Sequence, residues 1–160
     1  MKNFTLRVPI KSESKRIFEF IATPQGIENW FLRQAKFILP DKTIRNKKSF
    51  IQSGDKYEWK WHGYPDYLQK GKVLKNNGKN KLSFTFTGDC IVTLEIKSEK
   101  GETILLLTQT NIPPDKNPET NLYIQCQKGW TFYMTNLKSV LENGYDLRNR
   151  NDKLKKVVTA

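Results

Sequence analysis

The sequence predicts an α+β fold in which an antiparallel sheet packs against one long C-terminal helix. Three observations lead there. Apolar and polar residues alternate through a series of segments between residues 49 and 110, divided by Gly, Pro and Asn turn signals at short intervals. A stripe of apolar residues at steps of three and four follows, over residues 122–141. The strand segments are grouped instead of alternating with helices, which points away from a parallel βαβ architecture.

The elements follow in order. Phe4, Leu6, Val8 and Ile10 alternate with Asn3, Thr5, Arg7 and Pro9, the pattern of a half-buried strand. Ser12 offers a helix cap, and Ile17, Phe18 and Ile21 give the apolar face of a short helix. Thr23-Pro24 starts a second short helix carrying Ile27, Trp30 and Phe31. Ala35, Phe37 and Leu39 form a short strand, and residues 40–48 are polar enough to be a loop. Residues 49–63 read as strand with a turn or bulge at Gly54-Asp55, after which Tyr57, Trp59 and Trp61 face one way and Glu58, Lys60 and His62 the other. Pro65-Asp66 turns the chain into a strand over 67–74, and Asn76-Asn77-Gly78 is a hairpin signal. Leu82, Phe84 and Phe86, then Val92, Leu94 and Ile96, then residues 104–110 continue the meander, with turns at Gly88-Asp89 and Lys100-Gly101. Asn117-Pro118-Glu119 reads as the start of the last helix, with Asn117 as cap. Its stripe is Leu122, Cys126, Trp130, Tyr133, Leu137 and Val140/Leu141, and Asn143-Gly144 ends it, giving a helix of about 35 Å.

A chain of 160 residues is most simply one domain, and residues 1–146 are assigned to it, with 147–160 as a basic C-terminal tail expected to be partly ordered and solvated. The net charge of +12 suits an acidic protein partner, but the lysines are dispersed. Arg148 to Lys156 lacks the interleaved aromatics of single-strand binders, so nucleic acid is not the expected partner. No stretch approaches the ~18 apolar residues of a spanning helix, and the first fifteen residues have no apolar signal core, so no membrane insertion and a cytoplasmic location are expected. Cys90 and Cys126 have neither CxxC spacing nor a histidine cluster, so free thiols and no metal or other cofactor are expected.

Catalytic chemistry finds little support. His62 is the single imidazole, on the strand face turned away from the aromatic one, with no readable partner to make it a base. Asp55, Glu58 and Asp66 are accounted for by alternation and turns. There is no nucleophile elbow, phosphate-cradling glycine loop or HExxH motif.

Three stretches resemble a known family. TPQGIENWF (residues 23–31) resembles the second-helix motif of the START-like (SRPBCC) superfamily, and GDKYEWKWHGYPDY (54–67) its aromatic strand and turn. GWTFYMTNLKSVLENGYDLRN (129–149) resembles the closing helix of the Aha1-like group, the C-terminal domain of activators of heat shock protein 90 ATPase. The resemblance implies a helix-grip fold, a curved sheet wrapped around the last helix, often with an apolar cavity between them.

Function is then expected to be the non-enzymatic binding of a small hydrophobic or amphipathic ligand in that cavity. The candidate lining residues are Trp30, Tyr57, Trp59, Trp61, Phe84, Phe86, Cys126, Trp130, Tyr133 and Leu137, in an aromatic set that also includes Phe31. Most of these rings are core, and Cys126 reads as small buried filler before it reads as a pocket thiol. Tyr57, Tyr133, Gln127 and Asn136 are the candidate orienting polar groups. The alternatives are a chaperone-associated interaction domain and, more weakly, a hydrolase or cyclase using the same cavity. The residues leave the oligomeric state open.

Overall fold

Tyr57 and Trp59 are buried while Lys56 and Lys60 are exposed, the signature of a strand with one face on a core. The same alternation recurs along the sheet and sets its register. In the computed structural model, which describes residues 1–158, the chain runs β1 (Lys2–Pro9), α1 (Ser14–Ala22), α2 (Pro24–Glu28), β2 (Gln34–Ile38), β3 (Lys56–Lys60), β4 (Gln69–Asn76), β5 (Lys81–Thr85), β6 (Ile91–Glu99), β7 (Glu102–Ile112) and α3 (Leu122–Asn143). The seven strands form one antiparallel sheet in the order β1-β7-β6-β5-β4-β3-β2. Strands β2 to β7 are a simple meander, and β1 joins at the far edge, pairing Val8 with Leu105. The two short helices therefore carry the chain from one edge of the sheet to the other, and α3 covers the concave face.

Local chemistry explains most boundaries. Thr23 Oγ1 accepts from Gly26 N–H at 3.0 Å and Pro24 occupies the first position of α2. Gly26 has no room for a side chain: a Cβ there would lie 2.1 Å from the Glu19 carbonyl oxygen and 2.7 Å from Phe20 Cα. That contact fixes how closely α1 and α2 approach. Gly144 ends α3 in the left-handed conformation (φ 68°), donating its N–H to Val140 O at 2.9 Å, as the Asn-Gly signal predicts.

Four expectations are corrected. Ser12 does not cap α1: Glu13 holds that position and makes no side-chain cap bond. Asn117 does not start α3. Its side chain accepts from Glu119 N–H in a separate turn (3.0 Å), and Asn121 caps the helix by accepting from Ile124 N–H (3.1 Å). Residues 49–55 are a loop and not strand, because the buried Asp55 carboxylate gathers the Gln52 N–H (2.9 Å) and the Arg45 guanidinium around it. The tail is not wholly solvated: Arg148 is 6 % exposed, held against the end of α2 and the segment that follows it.

Candidate functional site

Phe31 follows α2 and sits at the centre of an aromatic cluster. Its ring lies 4.8 Å from Trp130, 4.9 Å from Tyr133 and 5.7 Å from Trp61, centroid to centroid. Trp130 and Tyr133 are one helical step apart on α3, so both reach the same ring. Phe86, just beyond β5, closes on Trp130 at 5.1 Å, and Tyr67 closes on Trp61 at 5.9 Å. These rings meet around a cleft of about 520 Å³ between α3 and the open end of the sheet. That volume lies within the range of about 300–1,000 Å³ typical of small-molecule sites. Tyr64 and Tyr67 at its rim are half exposed (52 % and 51 %), so the cleft opens to solvent there.

The ten expected lining residues divide evenly. Trp61, Phe86, Cys126, Trp130 and Tyr133 line the cleft. Trp30, Tyr57, Trp59, Phe84 and Leu137 do not, and are packed into the core instead. Tyr57 and Trp59 stack on each other at 3.7 Å and fill the space under the sheet; the Tyr57 ring also lies over Gly71, where a Cβ would come within 2.4 Å of it. Alternation places Tyr57, Trp59 and Trp61 on one face of the sheet, but position along that face decides that Trp61 lines the cleft while Tyr57 and Trp59 do not.

The polar candidates divide too. Tyr57 O–H donates to Thr85 O (2.6 Å) and accepts from Gln69 Nε2 (3.3 Å); burial pushes its pKa up to about 12. Asn136 is fully buried and structural: Nδ2 donates to Trp30 O (2.8 Å) and Oδ1 accepts from Leu147 N–H (2.7 Å). Gln127 lies on the other side of α3, beside Ile124 and Thr131. Tyr133 is at the cleft wall, where burial holds its phenol protonated well above the usual range. Of the four, only Tyr133 reaches the cleft.

Sequence reasoning missed the other polar members: Gln69, Thr87, Gln125, Lys128 and Lys156. Val157 and Val158 also stand at the cleft, so the C-terminal segment contributes to its mouth. Beneath it, Trp130 Nε1 donates to Gln109 Oε1 at 3.0 Å, and the Gln109 amide nitrogen has no conventional acceptor. That amide turns toward Cys90 and Cys126, both free thiols whose pKa burial pushes up. A protonated thiol is a poor nucleophile, so neither cysteine is primed for covalent chemistry.

Gly129 is the second missed feature. It lies in the interior of α3 and lines the cleft, and a Cβ there would meet nothing within 4 Å. Glycine inside a helix costs about 1 kcal/mol relative to alanine. No close approach of the kind seen at Gly26 demands it. What its missing side chain provides is open space in the cleft wall.

His62 falls in the turn after β3 and does not line the cleft. Burial, and then the charges of Arg148, Arg150 and Arg33, lower its pKa, with Asp152 opposing. Among the described residues no group of three His, Cys, Asp or Glu side chains is placed to hold a metal ion, and no helix is long and apolar enough to cross a membrane.

A sheet wrapped around a long C-terminal helix, with an aromatic cleft between them, defines a START-like helix-grip domain. Residues 11–142 match the family model described as Activator of Hsp90 ATPase homolog 1-like protein, and the chain belongs to that family. Solved structures agree on the fold. A protein from Staphylococcus saprophyticus is 15% identical with a TM-score of 0.69, covering 92% of this chain and 96% of its own. The Aha1 dimer from Colwellia psychrerythraea is 16% identical with a TM-score of 0.68, covering 90% and 98%. A Bacillus halodurans protein is 17% identical with a TM-score of 0.67, covering 89% and 98%. No curated protein matches the sequence.

Proposed function

We propose that this domain binds one small apolar or amphipathic molecule, non-covalently, in the cleft between α3 and the sheet. The observation that carries this is Gly129: an interior helix position left empty, at a stability cost, where the cleft wall runs past it. The rings of Phe31, Trp61, Phe86 and Trp130 supply apolar area, and Gln69 and Tyr133 supply polar atoms for orientation. The test is native mass spectrometry of the protein purified from cells. A ligand-carrying species in the parent that is missing from Gly129→Leu supports the reading; an identical, ligand-free spectrum from both counts against it.

The family match together with the net charge of +12 favours a second reading, a chaperone-associated domain that meets an acidic protein through its basic outer surface. It requires an association that weakens as salt rises. A pull-down that enriches nothing at low salt would remove it.

A further inference from the structure

The charges around the cleft are one-sided. Among the described residues its walls carry two cations, Lys128 on α3 and Lys156 on the C-terminal segment, and no aspartate or glutamate. Several other lysines of this protein have an acid beside them: Lys36 pairs with Glu58, Lys47 with Glu28, and Lys138 with Glu142. Lys128 and Lys156 have no carboxylate within ion-pair distance among the described residues. Both are exposed, whereas the rings of Phe31, Trp61 and Trp130 that line the same cleft are buried.

We propose that the ligand of this cleft is an amphipathic monoanion, an acyl or aryl carboxylate whose apolar body lies along the rings and whose head stays at the mouth between Lys128 and Lys156. The inference rests on the cleft being a binding site. It adds the sign of the ligand's charge and its direction of entry. The orientation follows from desolvation. A carboxylate taken into the aromatic interior would lose its hydration and meet only neutral groups such as Gln69, whereas at the mouth it keeps water and gains two cations. A ligand cation would meet two like charges and, among the described residues, no counter-charge. Because both lysines are solvated, their contribution is modest and screened by salt.

The experiment is a tryptophan-fluorescence titration with three probes of equal chain length, decanoate, decanol and decylamine, each kept below its aggregation threshold. At low salt decanoate is expected to bind about 3–10-fold more tightly than decanol, with decylamine weakest. In about 0.5 M salt the difference between decanoate and decanol is expected to collapse. The double variant Lys128→Gln/Lys156→Gln is expected to bind decanoate no more tightly than it binds decanol. Equal affinities of decanoate and decanol in the parent protein, or a decanoate advantage that survives the double substitution, would overturn the charge assignment while the cleft remains a binding site. No saturable binding of any probe would overturn the cleft reading itself, and this inference with it.

Discussion

Arg148 Nη1 donates to the Leu32 carbonyl oxygen at 3.0 Å, joining the segment after α3 to the segment after α2 across 116 positions of sequence. The same guanidinium reaches Glu28 O at 2.9 Å and the Asp146 carboxylate at 2.8 Å. One side chain therefore ties the C-terminal segment to the α2 end of the domain, next to the residues that support Phe31. Truncating it leaves buried carbonyls unpaired. Arg148→Ala is expected to lower stability by about 2–4 kcal/mol, read by urea unfolding. A loss below about 0.5 kcal/mol, the range of ordinary surface substitutions, would show that the segment is not fixed by this contact.

Acid should loosen the same junction. Burial works against ionising Asp146, but hydrogen bonds from Arg148, Arg150 and Asn136 outweigh it and hold the carboxyl well below its ordinary value. A folded pKa lower than the unfolded one means that the unfolded chain binds more protons in acid. The stabilisation is therefore fully present above the ordinary carboxylate value of 3.8 and is lost as pH falls below it. Asp146→Asn should flatten the acid limb of the stability profile; an unchanged limb would assign it to other carboxylates.

Two glycines in helices give opposite forecasts. At Gly26 the Cβ of alanine would collide with backbone of α1, so Gly26→Ala should destabilise by about 1–3 kcal/mol. At Gly129 the same substitution meets nothing and gains helix propensity, so Gly129→Ala should stabilise by about 1 kcal/mol. Paired thermal unfolding curves check both. A destabilised Gly129→Ala would mean that glycine serves the fold there.

The thiols offer a probe of the cleft. Cys126 lines it and Cys90 does not, and burial raises the pKa of both. Alkylation by iodoacetamide should be slow at neutral pH and accelerate only above the ordinary thiol value of 9.0. A cleft ligand should protect Cys126 and leave Cys90 unaffected, as peptide mapping would show. Equal protection of both would point to a global effect.

The frame of the molecule was legible because periodicity reports which face of an element is buried. Trp130 and Leu137 mark the stripe of α3, and Asn143-Gly144 marks its end. Periodicity does not report depth, so Tyr57 and Trp61 looked alike although one is core and the other lines the cleft. The start of α3 was misplaced because Asn117 and Asn121 are both sound caps; Asn121 caps the helix and also donates Nδ2 to the Asp115 carbonyl oxygen, a contact that sequence spacing does not reveal. Arg148 was hidden in a basic run whose composition reads as solvated, since its carbonyl partners at Glu28 and Leu32 are distant in sequence. Gly129 carried a usable signal, a glycine inside a helical pattern, but its meaning needed the empty space beside it.

The most direct test of the central claim is the dissociation constant of a neutral apolar probe, decanol, for the parent protein and for Gly129→Leu, measured beside their melting temperatures. A Cβ there meets nothing within 4 Å, so a leucine side chain has room to enter and narrow the cleft. A ligand-binding cleft predicts saturable one-to-one binding by the parent, weakened at least about tenfold in the variant, with a melting temperature equal or higher. Equal affinity in the two proteins, or no saturable binding by the parent, would contradict it.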